Sequence, residues 1–286
     1  MELRNCDTTK NPERIPVALT VAGSDSGGGA GIQADLRTFS ALGVFGTSAI
    51  TAVTSQNPGA VSRVDALPPD AVAEQIRTVM DVIDVRAVKT GMLLSAEIIR
   101  TVANCLKQVQ LPLVVDPVMI STSGTKLMQD DALESMMTDL LPLATWITPN
   151  IPEAELLCGK KLSTPSDLAG VALELHEKFK CNVILKSGHL TCVDRMADIV
   201  CCEGKLYSLS SPVAVIRGNA SHGTGCTLSA AIAALLATGK SWQESLTEAK
   251  AFVYGSLLES RPLNGTLFQM YPPEKQYLEQ INLEEL

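Results

Sequence analysis

An α/β fold with a mainly parallel central sheet flanked by helices is what this 286-residue sequence predicts. Three observations carry that expectation. Short apolar, β-rich runs alternate with amphipathic stretches along the chain, the signature of strand–helix–strand units. The runs LPLVVD and CNVILK are continuously apolar, as strands covered on both faces must be. Glycine-rich and polar segments follow the strands directly, where sheets of this kind bind ligands.

Taken in order, Val17–Ala22 reads as a buried strand, Gly31–Leu42 as a helix and Phe45–Val53 as a strand. Asp70–Asp84 and Ala96–Val109 are helical, separated by the short strand Ala87–Thr90. Leu111–Val115 and Thr145–Thr148 are strands around the helix Asp131–Leu141. Pro152–Leu157 and Ser166–Lys180 are helical, and Asn182–Lys186 is a strand. Asp198–Tyr207 forms a hairpin turning at Glu203-Gly204, and the helices Gly223–Ala237 and Trp242–Leu258 follow. No repeat or Pro/Gly/Ser-rich linker divides the chain, so one domain over 17–286 is expected, preceded by a loose arm at 1–16.

The composition narrows the function. Apolar residues make up 46% of the chain, enough for a large core, but no apolar run reaches the roughly 18 residues of a membrane span. A net charge of −8 argues against nucleic acid, which needs a basic surface. It does not argue against a phosphorylated small molecule, because local amide donors can hold an anion on an acidic protein. The eight cysteines contain no Cys-x-x-Cys pair, and with three histidines the chain has no zinc-ligand spacing. The polar start lacks the apolar core of a signal peptide, so reduced thiols and a cytoplasmic location are expected.

Four segments carry candidate chemistry. Gly23-Ser24-Asp25-Ser26-Gly27-Gly28-Gly29-Ala30-Gly31 follows the first strand, and its amides could face an anion or let a ligand lie flush on the backbone; a merely tight turn is the alternative. The spacing does not fit a dinucleotide fingerprint. Gly223-Thr224-Gly225-Cys226 opens an apolar helix whose free amides suit a transferring phosphoryl group. Thr224 stands where a Walker A loop needs lysine, which excludes a P-loop. Cys226 falls in the first turn, where a helix N-terminus favours thiolate, and it is the candidate proton acceptor; a small buried side chain is the alternative. Asp116 and Glu153 follow strands and could orient a hydrated Mg²⁺, although Glu153 would also suit a helix first turn. Asn150 follows a strand as an ATP-binding candidate, and Lys186 at a strand end could reach an ATP phosphate, a surface lysine being the alternative. The histidines, His176, His189 and His222, are too scattered in sequence to form a catalytic set.

In combination, GSDSGGGAGIQAD, VTSQN, KTGML, DPVM, TPNIPEAE, LKSGH and HGTGCTLSAAIAA occur in this order. The sequence resembles the hydroxymethylpyrimidine/phosphomethylpyrimidine kinases of the ribokinase superfamily from about Val17 to about Leu258. The resemblance implies a three-layer ribokinase-like fold, often a homodimer, and two successive ATP-dependent phosphorylations of a thiamin-precursor pyrimidine. It assigns pyrimidine contacts to Asp35, Gln56 and Met92 beside Gly23, with Val118 and Met119 lining the same pocket. It also assigns an anion hole to Gly223–Cys226. The side-chain chemistry agrees: Gln56 has a donor and an acceptor for an aminopyrimidine edge, and Met92 offers a soft apolar face. Arg217–Ser221, Thr122 and Arg261–Gly265 depart from the family pattern. A pyridoxal or pyridoxine kinase of the same superfamily, or a non-catalytic pyrimidine-binding regulator, are the alternatives.

Overall fold

The computed structural model describes residues 14–119, 128–129, 131–188 and 194–286. In chain order the strands are β1 (Val17–Asp25), β2 (Phe45–Asn57), β3 (Ala60–Ala66), β4 (Val85–Thr90), β5 (Leu113–Val115), β6 (Trp146–Ile147) and β7 (Asn182–Leu185). They continue as β8 (Arg195–Cys202), β9 (Lys205–Pro212), β10 (Arg261–Pro262), β11 (Phe268–Gln269) and β12 (Asn282–Glu285). The helices are α1 (Gly31–Ala41), α2 (Pro69–Met80), α3 (Ala96–Leu106), α4 (Ala132–Ser135), α5 (Ile151–Cys158), α6 (Pro165–Phe179), α7 (Thr224–Ala237) and α8 (Trp242–Leu258).

Ten strands form one sheet in the order β12-β9-β8-β7-β6-β5-β4-β1-β2-β3. The six from β2 to β7 are parallel, and β3, β8, β9 and β12 are antiparallel edges on either side. The chain leaves β1 towards β2 on one side and reaches β4 on the other, so the crevice above the carboxyl ends of β1 and β4 is where such a sheet binds its ligand.

Alternating side chains of the parallel strands feed two cores. Leu19, Val21, Val115 and Val183 pack against α2, α3, α5 and α6. Ala18, Val114 and Ile184 point the other way, against α1, α7 and α8. Helix α7 is buried along nearly its whole length, and its Ala230, Ala231, Ala233 and Ala234 let it lie close against the sheet. That position carries its N-terminus to the crevice.

Most of the expected elements are present, with two differences. The helix expected over Asp131–Leu141 is a short α turn, a π turn at Met136–Leu140 and a 3₁₀ turn at Leu141–Leu143. Pro142 accounts for the break, since it lacks the N–H and its ring crowds the preceding turn. Strand β2 runs on to Asn57 and returns as β3, an antiparallel pair not expected from the sequence. The Asn57 side chain closes this turn by accepting from the amides of Gly59 (2.9 Å) and Ala60 (3.1 Å). The hairpin at Glu203-Gly204 forms as expected, with φ of 51° and 76° at its two turn residues. Of the arm expected at 1–16, residues 1–13 lie outside the described residues, as do Thr122 and His189.

Candidate active site

A cavity of about 280 Å³ opens at the crevice. Its wall includes Gly23, Gln56, Met92, Val118, Asn150, Asp116, Glu153, Lys186 and the Gly223–Cys226 turn, residues drawn from segments far apart in sequence. On one side Met92, Ala52 and Val118 form a small apolar cluster separate from the two main cores. Thr51 fixes this wall by donating its hydroxyl to the Met92 carbonyl at 2.7 Å. Gly23 lies against it, and a methyl group there would sit 2.4 Å from Met92 Cε and push the thioether end of that side chain aside.

On the opposite side stands the start of α7. Gly223 is its N-cap with φ of 83°, and a Cβ there would collide with the Gly29 carbonyl oxygen at 1.9 Å. The first helical bond runs from Thr227 N–H to the Gly223 carbonyl, so the Gly225 and Cys226 amides have no intrahelical acceptor. Thr224 donates both its N–H and its hydroxyl to the Ser221 carbonyl, at 3.3 and 3.0 Å. Lys186 reaches the same place: a methyl at Gly225 would sit 3.1 Å from Lys186 Nζ.

Between the two walls lies a charged floor. Lys186 Nζ donates to Asp116 Oδ1 at 3.1 Å, and Asp116 also accepts from Thr148 and Ser229. Burial opposes charge on Asp116, but Lys186 and Lys89 outweigh it and hold the carboxyl below its ordinary range. Glu153 goes the other way, pushed up to about 7 by burial, with Lys186 opposing and Asp116 adding to the rise. Its carboxylate accepts the Asn150 N–H at 2.9 Å while Asn150 Oδ1 accepts the Glu153 N–H, a capping box at the start of α5. The helix-cap role and the cavity-lining position therefore coincide at Glu153.

Several expectations need correcting. Asp35 and Met119 do not line the cavity. Asp35 is fully buried beneath it, accepting from Lys89 Nζ at 2.8 and 3.0 Å and from the Thr20 hydroxyl at 2.6 Å, and an ion pair held this way is not free to touch a ring. Met119 packs into the main core, and its backbone N–H serves Glu153. The amides of the glycine-rich loop are not offered to an anion: those of Gly27, Gly29 and Ala30 bind the Asp25 carboxylate at 2.8, 3.1 and 2.8 Å. Cys226 is not a resting thiolate. Burial pushes its thiol up to about 11; Lys89 and the Gly31 amide oppose this, and Asp116 and Asp35 reinforce it.

Sequence reasoning also missed residues that the fold brings in. Asp25, His222 and Lys89 line the cavity, yet they are separated by up to 197 positions and no local motif links them. A second cavity of about 160 Å³ adjoins the first and shares Lys186, Gly188, Thr224 and Gly225 with it. Its apolar wall is Met196, Ala214, Ile216, Val253 and Leu257, with the Lys250–Asp198 ion pair (2.7 Å) as its polar side.

The family model for phosphomethylpyrimidine kinase matches residues 25–269. The chain belongs to the phosphomethylpyrimidine kinase family. Within reach of this family, the hydroxymethylpyrimidine/phosphomethylpyrimidine kinase of Streptomyces coelicolor is 44% identical over 256 residues, covering 89% of this chain and 93% of its own. A phosphomethylpyrimidine kinase structure from Clostridium difficile superposes with a TM-score of 0.73 at 42% identity, over 83% of this chain and 97% of that one. The pyridoxal kinase of Staphylococcus aureus in complex with pyridoxal superposes with a TM-score of 0.84 at 32% identity, over 96% of this chain and all of the other. The ribokinase-like architecture is thus common to this phosphomethylpyrimidine kinase family member and to pyridoxal kinases.

Proposed function

We propose that the chain is an ATP-dependent kinase that phosphorylates 4-amino-5-hydroxymethyl-2-methylpyrimidine, and then its monophosphate to the diphosphate, in thiamin biosynthesis. The observation that carries this reading is the facing of two walls across one cavity. Met92, Val118 and Gln56 offer an apolar face and an amide edge to a small ring, and the free amides of Gly225 and Cys226 lie opposite. A hydroxymethyl group on a ring seated at Met92 is directed towards the helix start, where the amides and Lys186 stabilise charge on the transferring phosphoryl group.

The second cavity is the site we assign to the adenosine of ATP, because its apolar wall suits a flat base and it meets the first cavity at Thr224 and Gly225. Asn150 and Lys186 then lie on the phosphate path between them. The residues present fit magnesium in one way. Among the described residues no cluster of three or more His, Cys, Asp or Glu side chains could cage a metal, whereas Asp116 and Glu153 can orient the waters of an ion that ATP phosphates bring with them. Bound there, Mg²⁺ neutralises phosphate charge. Asp116 and Glu153 would hold its hydration shell, Lys186 would position the phosphates, and Cys226, as its thiolate, would accept the proton of the attacking hydroxyl. A cytoplasmic homodimer completes the reading; the free cysteines of the described residues suit a reducing compartment.

The high structural similarity to a pyridoxal kinase favours one second reading, a kinase of pyridoxal or pyridoxine. An assay of purified protein with ATP, Mg²⁺ and each alcohol, with products identified by mass spectrometry, decides between them. The expected products are the pyrimidine mono- and diphosphates, formed with a kcat/KM well above that for pyridoxine. A preference for pyridoxine would replace the assignment, and ATP binding without turnover of either alcohol would make the protein a non-catalytic binder.

A further inference from the structure

Three side chains from separate segments meet at the cavity wall. His222 precedes α7, Asp25 ends β1 and Gln56 lies near the end of β2. His222 Nε2 is 3.3 Å from Asp25 Oδ2 and 3.4 Å from Gln56 Nε2. A ring nitrogen either carries a proton or accepts one. Asp25 settles which, because its carboxylate already accepts from three backbone amides and acts purely as an acceptor. Burial opposes its ionisation, but the bonds from His222, Ala30 and Gly27 outweigh burial and hold it below the usual carboxylate range. His222 Nε2 therefore carries hydrogen and donates to Asp25.

With that hydrogen in place, the amide nitrogen of Gln56 faces a second donor. Turning the amide over removes the conflict, and the two ends of an amide are alike in shape, so the hydrogen bonds decide its orientation. Gln56 Oε1 then shares the one Nε2 hydrogen of His222 with Asp25 in a three-centre contact, and the amide nitrogen takes the place 3.1 Å from Thr54 Oγ1. Thr54 accommodates this, because its own hydroxyl hydrogen can go to the Ser24 carbonyl at 3.1 Å. The His222 ring is buried against Gly29, where a methyl would lie 2.5 Å from its Cδ2, and Gln269 Nε2 lies 3.4 and 3.5 Å from the backbone carbonyls of Gly29 and His222.

We propose that His222, held by Asp25, is a specificity-determining positioning residue: it fixes the orientation of the Gln56 amide and so the order of donor and acceptor that the substrate ring meets. The inference rests on the reading that Gln56 faces the pyrimidine edge. A 4-aminopyrimidine presents an amino donor beside an N3 acceptor, and its 4-oxo analogue presents the reverse, an O4 acceptor beside an N3–H donor. A fixed amide accepts the first and rejects the second; a freely turning amide tolerates both.

The test compares kcat/KM for the amino and oxo 5-hydroxymethylpyrimidines in the wild type, His222→Leu and His222→Gln. The wild type should favour the amino compound by at least about 100-fold, inside the roughly 10⁴–10⁵-fold by which a hydrogen-bonding site can reject an analogue that leaves its polar groups unpaired. His222→Leu should reduce that preference at least about tenfold, and His222→Gln, whose amide nitrogen restores a donor, should keep it. A Leu variant that turns over the aminopyrimidine with its preference intact overturns this inference alone. A wild type inactive on both rings overturns the proposed function and this inference together. If the Leu variant does not fold, nitrogen-15 spectra of the wild-type histidines decide: a protonated Nε2 at His222 is expected, and an unprotonated one overturns the proposal.

Discussion

Cys226 sits between two opposing influences: the first turn of a helix favours its thiolate, and partial burial at the cavity wall favours its thiol. Burial prevails in the free protein, with a value of about 11, so the proton acceptor is itself protonated at neutral pH. Only the thiolate can take up the hydroxyl proton, so the proposed base acts through its minor deprotonated fraction, and the weak bond to the attacking oxygen in the transition state of phosphoryl transfer keeps the demand on that base small. The wild-type kcat should then keep rising above pH 8 as more thiolate forms. Cys226→Ser should lose this rise and fall at least about tenfold below the wild type, in line with the usual contribution of a general base. Cys226→Asp should show activity that is already level at neutral pH. A serine variant with undiminished turnover would leave catalysis to the helix amides. The position of Cys226 was legible in the sequence, since the glycines before an apolar run mark a helix start. Its protonation was not, because Lys89, Asp35 and Asp116 approach it from other strands and helices. Asp35 shows the same limit: the motif around it is readable, but its capture by Lys89, 54 residues away, is not.

At the level of elements, the active site depends on how closely the turn before α7 approaches the loop after β1. Gly223 meets the Gly29 carbonyl with no room for a side chain, and its φ of 83° is one that other residues adopt only at a cost. Gly223→Ala should therefore lower stability by about 1–3 kcal/mol from backbone strain, with steric overlap adding to it, and should weaken nucleotide binding as the helix start moves away. Thermal melting and calorimetric titration read the two effects; a melting temperature equal to the wild type would mean that the turn accommodates the methyl. Both segments were recognisable as glycine-rich turns. Their contact was not, because it joins parts of the chain almost 200 positions apart. The pair formed by β10 and β11 has the same character. It delivers Gln269 to the backbone of Gly29 and His222.

For the molecule as a whole, the parallel sheet was legible because continuous apolar strands admit few other arrangements. The antiparallel edges β3 and β12 were not, since short, half-exposed strands carry little periodic signal. The charges gathered under the sheet's carboxyl ends also make stability depend on pH. Glu153 has a raised value of about 7 in the folded chain against an ordinary 4.5, so the folded state binds its proton more tightly than the unfolded one. Its contribution is fully present below about 4.5, declines as pH rises through about 7, and is constant above that. In metal-free protein, Glu153→Gln should flatten this decline between pH 5 and 8 in denaturant titrations; an unchanged slope would assign it to another group. The neck at Thr224, Gly225, Lys186 and Gly188, which joins the two cavities, has a pharmacological consequence. On the proposed assignment of the two chambers, a tethered inhibitor with a base for one and a pyrimidine for the other must thread its linker through that neck. A phosphate chain suits the lysine and the free amides there, and once one ring is seated the other binds at the high local concentration that the tether imposes.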